Sequence, residues 1–431
     1  MKKVILRGPI LSRSGYGEHT RFFFRALYSF PELYDVYVLP TGWGQSNWTH
    51  ESTEENKAIM SCIHKTNETQ LANPAAFFDI SLQVLIPPEW QSIAKYNIGV
   101  TAAVETNKAS GAWVESCNKM DRIFVTSEHA KNSLCSPTYT LVDEHNNPRG
   151  ELSCTTPVDV ISYPFRDLKK DTAMYKNLNL ETEFNFLTVA QFGPRKNLKN
   201  TLQWFLEEFK FNEKVGFVIK AHHMNNSRID KTNMLNNLKP IVDQFPDRLC
   251  KIYLLHGNLK DEEMSALYTH PNIHAYITAT HGEGFGLPVF EAACNGLPVA
   301  APAWSGHVDF LYADLPNEVS GKIKRIPMFT KIRYELNNVQ QEAVWENVID
   351  ADSKWCFPTE ESFKRSIRNL YDVYKPSKKV AERLMNHLKE NLNQEKMFEI
   401  VSNSIKKVLP EDEGELETWL EQFSESVVVN D

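Results

Sequence analysis

Lys3–Leu6 is a short apolar run, a Gly/Ser-rich turn follows, and in EHTRFFFRALYSF the residues Phe23, Ala26, Leu27 and Phe30 recur at helical spacing on one face. This strand, turn, helix order continues. Strand-like runs come at YDVYVLP (34–40), DISLQVLI (79–86), YNIGVTAA (96–103) and RIFVTS (122–127), with ASGAWVESCNKM and EHAKNSL as helices between or after them. Such alternation predicts a parallel sheet wrapped by helices. Between about Pro137 and Glu183 the pattern loosens into DEHNNPRGELSCTTP and RDLKKDTAMYKNLNLETE, polar and turn-rich, which predicts a peripheral hairpin and an interdomain linker.

The alternation then starts again. FNFLTVAQ (184–191), VGFVIKAH (215–222), LCKIYLLHG (249–257), IHAYITA (273–279) and LPVAAP (297–302) read as strands; NLKNTLQWFLEEFK, NMLNNLKPIVDQF, KDEEMSALYTH and PVFEAACN read as the crossover helices. After Pro358, TEESFKRSIRNLYDVYK opens with an N-capping Thr359 and sets Phe363, Ile367, Leu370 and Tyr374 on one stripe. A further helix is expected from Ser377 to about Leu409, and the acidic end PEDEGELETWLEQFSESVVVND reads as a surface appendage or partner helix. The expected class is α/β with two Rossmann-like domains whose parallel sheets face a cleft. Residues 1–170 form the first and 180–357 the second, and 358–431 supplies C-terminal helices and the acidic tail, packed back on the N-terminal domain.

Length and composition agree with that division. At 431 residues, 42% of them apolar and 11% aromatic, the chain can bury more than one core. The balance of 47 Lys plus Arg against 55 Asp plus Glu gives a net charge of −8, which disfavours general binding to polyanions. The seven cysteines are scattered, with no Cys-x-x-Cys pair and no His at metal-ligand spacing, and read as reduced thiols. The N-terminal apolar run is broken by Arg7, Gly8 and Pro9, unlike a signal peptide, and no stretch reaches the ~20 apolar residues of a membrane span. Asn47, Asn67 and Asn225 open sequons that read as chance without an export signal. A cytoplasmic protein without stable membrane insertion is expected.

HGEGFGLPVFEAACNGLPVAAP (281–302) concentrates the chemistry. It follows a strand, Pro288 suits a first helical turn, and Gly296 is a stop signal; Glu283 then lies in the loop and Glu291 on the helix's first turn. Ligands of open α/β sheets bind outside the carboxyl ends of the strands, and free N–H groups at a helix start favour anionic oxygens. Carboxylates beside an anion site make sense if they accept hydrogen bonds from sugar hydroxyls. A diphosphate flanked by two sugars would suit such a site.

These residues carry a resemblance. EGFGLPVFEA resembles the Glu-x7-Glu motif of the retaining, family-four glycosyltransferases of the two-Rossmann-domain, GT-B type, and FLTVAQFGPRKN resembles their phosphate-contacting strand and loop. SGYGEHTR is similar to their N-terminal glycine-rich loop, GVTAAVET and WVESCNKMDRIFVTSEHAKNS to further segments, and GNLKDEEMSALY and PAWSGHVDFL flank the motif in the usual order, over about residues 1–330. The resemblance implies that Glu283 accepts hydroxyls of the donor sugar and Glu291 those of the ribose. Arg195 and Lys196 would neutralise the departing diphosphate, aided by backbone N–H groups around Phe285, Gly286 and Leu287. A loop at Gly15 and Gly17 would close over the phosphates. Glu105 and Gln191 stand where many relatives carry a histidine and a cationic phosphate ligand. The implied reaction moves a sugar from a nucleotide-diphosphate sugar to a hydroxyl of a glycan or lipid-linked saccharide, with retention and with neither metal nor cofactor.

Other readings compete. Asp350–Asp352 could mark a metal-dependent single-domain transferase, but QQEAVWENVI before it reads as helical where a buried strand is needed. A nucleotide-sugar epimerase, a phosphorylase and a catalytically inactive nucleotide-sugar-binding subunit all suit the same scaffold. Trp43 and Trp48, in the loosely patterned loop 41–56, could stack a sugar or a nucleobase, which keeps a modified base in DNA as an alternative acceptor. Adjacent His222 and His223, and the basic scatter Lys322, Lys324, Arg325, Lys331 and Arg333, read as structural and as a solvated face.

Overall fold

In the computed structural model the described residues are 1–49, 51–145, 147–316 and 321–409. Two six-stranded sheets dominate, and every ladder in both is parallel. The first runs, across the sheet, Tyr34–Pro40, Lys2–Gly8, Ile80–Val84, Tyr96–Thr101, Arg122–Val125 and Val158–Val160. The second runs Lys251–Leu255, Val215–His222, Phe184–Gln191, Ile273–Ile277, Val299–Pro302 and Thr330–Ile332. Strands such as Ile80–Val84 and Val215–His222 are buried almost throughout, as parallel strands covered on both faces require.

In the second sheet the chain moves outward from Phe184–Gln191 to one side, then returns to place Ile273–Ile277 on the other. The switch point of the topology therefore lies between these two strands, where ligands of open α/β sheets bind. Arg195 and Lys196 follow one of them and Glu283 the other.

The chain ends by crossing back. Helix Glu360–Asp372 buries Phe363, Ile367 and Leu370 against the second sheet, while helix Gln394–Lys406 lies on the first lobe. There Tyr34 Oη and Ser402 Oγ are 2.8 Å apart and the Phe398 ring stacks near Phe22. Pro410–Asp431, the acidic tail, lies outside the described residues.

Several elements differ from the sequence expectation. Helix Glu54–Ala72 occupies a region where no element was expected; it buries Ile59, Cys62, Ile63 and Thr66, a thin stripe at helical spacing in an otherwise polar segment. The single helix expected from Ser377 is two, Tyr374–Asn391 and Gln394–Lys406, since the Asn393 side chain accepts from Lys396 N and starts a new helix. QQEAVWENVI is a 3-10 turn, Gln341–Ala343, and a reversal through Asn347 at φ +61°, not a helix. Asp352 at its end pairs with Lys108 of the first lobe at 2.7 Å. Gly15 and Gly17 stand inside helix Gly15–Tyr28, capped by Ser14, and do not form a mobile loop before it; a Cβ on Gly17 would run into the Ser12 carbonyl.

Candidate active site

From Ile277 the chain passes through Thr278, Thr280, His281, Glu283 and Phe285, all buried, before helix Leu287–Cys294 begins. The loop is buried because the first lobe presses on it. Side chains at Gly282 and Gly284 would collide with the carbonyls of Glu105 and Ala102, so only glycine lets the two lobes approach. Thr126 Oγ1 and Ser127 Oγ donate to Gly284 O at 3.1 and 2.6 Å, and the Phe285 ring lies 4.7 Å from that of Tyr163. Gly286, at φ +93°, turns the chain into the helix, whose first-turn amides have no intrahelical acceptor. Gly15, at the start of the first-lobe helix, stands opposite Leu287. Two helix starts, each the positive end of a dipole, thus face one another across the crevice.

Glu283 is the most enclosed acid here. Its carboxylate accepts from Lys196 Nζ at 2.6 and 2.7 Å and from Arg195 Nη1 at 3.0 Å, and its own N–H donates to Ser305 Oγ. Arg195 also donates to Gly282 O at 2.7 Å and reaches across the crevice to Glu105 Oε1 at 3.3 Å. Burial by itself would raise the Glu283 carboxyl, yet Lys196 and Arg195 outweigh it and hold the group at about 2. Glu283, Arg195, Lys196 and Glu105, four residues from three stretches of chain, therefore form one cluster at the switch point.

Glu291 belongs elsewhere. Because the helix starts at Leu287, Glu291 falls in its second turn and not its first, and it turns away from the cluster toward helix Asp261–Tyr268. Tyr268 Oη donates to it at 2.9 Å. Burial, with Asp261 and Glu18 nearby, pushes this carboxyl up to about 7, against the weaker pull of Tyr268 and Arg166. Arg166, from the segment joining the lobes, bridges Glu18 at 3.1 Å and Asp261 at 2.9 Å. Tyr268, Ser305 and His307, the last lodged under Gly286, lie in the flanking segments GNLKDEEMSALY and PAWSGHVDFL but were not among the expected site residues, and Arg166 lies in the linker; their contacts come from long-range packing.

The remaining candidates are placed as follows. Gln191 donates to His223 O at 3.0 Å. His222 is lowered to about 4, chiefly by burial and then by Lys220. The Trp43 ring stacks on Tyr16 at 4.1 Å, and Trp48 is exposed. Among the described residues no three His, Cys, Asp or Glu side chains come together where a metal ion could be held, and no helix is long and apolar enough to cross a membrane.

Solved structures share this architecture. Sucrose-phosphate synthase from Thermosynechococcus elongatus superposes with a TM-score of 0.60 at 11% identity, over 95% of this chain and 99% of its own. The fold is GT-B. Anabaena HepE in complex with UDP-glucose gives 0.55 at 8% identity over 94% and 100%, and a glycosyltransferase from Rickettsia africae 0.51 at 12% over 95% and 99%. No family model matches the chain, and no curated protein matches its sequence. The likeness is one of GT-B fold across nearly the whole length.

Proposed function

We propose that this GT-B protein is a metal-independent, retaining glycosyltransferase that moves a sugar from a nucleoside-diphosphate sugar to a hydroxyl of a glycan or lipid-linked saccharide. The observation that carries the reading is the Arg195, Lys196 and Glu283 cluster at the switch point, closed from the other lobe by Glu105. A bound diphosphate would draw the two cations, and Glu283 would then accept hydroxyls of the donor sugar. Leaving-group charge grows as the glycosidic carbon becomes oxocarbenium-like. Preorganised cations and helix-start amides aimed at that charge lower the barrier without a covalent intermediate. Both carboxylates at the centre are paired with cations, and a group held at about 2 is a poor general base. That favours same-face attack, with the departing phosphate taking the acceptor's proton, over base-assisted inversion. Glu291 is assigned to the ribose hydroxyls. Nucleotide sugars are cytoplasmic metabolites, and seven free thiols suit the same compartment.

A thermal-shift panel of UDP-, GDP-, ADP- and TDP-sugars, followed by transfer to saccharide acceptors with and without chelator, tests the reading. One donor should raise the melting point, since it binds only the folded state. Proton NMR of the product should show the donor's anomeric configuration kept. Turnover without acceptor would instead point to an epimerase, and binding without any turnover to an inactive subunit. If no nucleotide sugar shifts the melting point, the proposal fails.

A further inference from the structure

Lys220 is a buried amine for which the reaction above has no use. It lies in strand Val215–His222 and is only 7% exposed, and its Nζ makes one hydrogen bond, to Gly257 O at 2.7 Å. Among the described residues no carboxylate pairs with it; burial alone lowers it to about 8. An ammonium carries three donors and no acceptor, so two of the three have no partner among the described residues. Leaving a buried donor unsatisfied is unfavourable, more so when it is charged, unless a ligand completes it.

Its head is at the level of the crevice. Gly257 lies two residues beyond the end of the neighbouring strand Lys251–Leu255, so the side chain reaches past the carboxyl ends of the sheet. First-lobe loops roof the same spot: Arg13 Nη1 donates to Leu259 O at 3.0 Å, and Asn47 Nδ2 donates to Asn258 Oδ1 at 3.1 Å and Asn225 O at 2.6 Å. Gly257, at φ +122°, has open space where its side chain would begin. Across the sheet, Val215–His222 lies on the side of Phe184–Gln191 away from the Glu283 strand. A donor with its reacting carbon at Glu283 and its diphosphate at Arg195 and Lys196 therefore extends its nucleoside over Lys220. Glu291, the other unpaired charge on this side, faces the helix that follows Lys251–Leu255.

We infer that Lys220 reads the donor's nucleobase and sets a preference for one bearing an exocyclic carbonyl (uracil, thymine or guanine) over adenine. A carbonyl oxygen is an acceptor for one of the unused donors. Adenine presents an amino group, itself a donor, in the corresponding place. The inference rests on the nucleotide-sugar reading of the site and adds to it the identity of the base.

The test is a set of dissociation constants for UDP, TDP, GDP and ADP by calorimetry, on the wild type and on Lys220→Met and Lys220→Gln. Wild type should bind at least one of UDP, TDP or GDP about tenfold or more tighter than ADP. Lys220→Met should lose about tenfold on the favoured nucleotide, change ADP less than twofold, and raise the melting point of the free protein. Should Met disturb packing, Gln keeps a donor in place and should fall between the two. Equal or tighter binding of ADP, or a preference that survives in both variants, overturns the inference while leaving the transferase reading intact. Failure of every nucleoside diphosphate to bind removes both.

Discussion

The two ends of the crevice handle charge in opposite ways. At the switch point Glu283, Lys196, Arg195 and Glu105 pair with one another within 2.6 to 3.3 Å. Toward the outer strands buried Lys220 and half-buried Glu291 have no counter-ion in contact among the described residues, one donating to a carbonyl and the other accepting from a tyrosine hydroxyl. Burial penalises charge at both ends, but at Glu283 the two cations return more than burial removes, whereas at Lys220 and Glu291 burial prevails. The consequence is visible in the two glutamates, eight positions apart: one sits at about 2 and the other at about 7. A preassembled charge cluster suits a group that must develop charge during reaction. An unpaired one suits recognition, because the ligand supplies what the protein lacks.

Breaking the paired end should give the largest effect. Arg195→Ala and Lys196→Ala each remove a donor aimed at the leaving group and should lower turnover by about 10²–10³-fold, with a smaller change in donor affinity. Lys196→Ala also leaves Glu283 buried beside one cation. Loss of one partner of a buried pair costs about 3–5 kcal/mol, which urea unfolding would register. Adding Glu283→Gln to Lys196→Ala should restore much of that stability and none of the activity. Full activity in either single variant would end the assignment.

Acid comes next. The Glu283 carboxyl is lower in the folded state than its ordinary value of 4.5, so its contribution to stability is present above 4.5 and lost as pH falls from there toward 2. Glu18, which burial would raise but Arg25, Arg166 and Arg21 hold far lower, loses its contribution in the same direction. Glu283→Gln should therefore flatten, without abolishing, the fall in melting temperature between pH 4.5 and 2. An unchanged slope would mean that the cluster is not paired in solution.

The unpaired end sharpens the contrast with a pH response near neutrality, seen in binding and not in acid stability. Glu291 accepts ribose hydroxyls best when ionised, and it ionises only near 7, so nucleotide affinity should rise as pH passes through about 7. Glu291→Gln should weaken binding about tenfold and remove that rise. Tyr268, Asp261, Glu18 and Arg166 surround the group, and a rise that persists in Glu291→Gln would take the ribose role away from Glu291.

How much of this the sequence shows follows from the range of each interaction. EGFGLPVFEA is legible because strand, glycine turn, first-turn proline and stop glycine are all local signals, and the two αβ runs emerge from periodicity alone. The grouping of Arg195 and Lys196 with Glu283 depends on two adjacent parallel strands, and the resemblance supplied it where spacing could not. Lys220 reads as one polar position in an apolar strand, and nothing local says that its head meets Gly257. Arg166 looks like linker, though it joins Glu18 to Asp261 across the lobes. Helix Glu54–Ala72 leaves only a thin stripe, Ile59, Cys62, Ile63 and Thr66, at helical spacing among polar neighbours.

The smallest effect is expected at Glu105, and it decides whether the paired end is one unit or two. Among the described residues the Glu105 carboxylate pairs with Arg195 alone, at 3.3 Å, and its side chain is about a quarter exposed, whereas Glu283 is held by both cations and nearly enclosed. Partly exposed pairs contribute about 0.2–1 kcal/mol, so Glu105→Gln should shift unfolding by no more than that. Its effect on turnover should be several-fold, through the aim of Arg195 and not through contact with the leaving group. Arg195 keeps its bonds to Gly282 O and Glu283 in that variant, so its orientation is loosened and not lost. A loss in Glu105→Gln as large as in Arg195→Ala would show that the first lobe supplies an acid acting directly on substrate, and the centre would then have to be redrawn around two carboxylates instead of two cations.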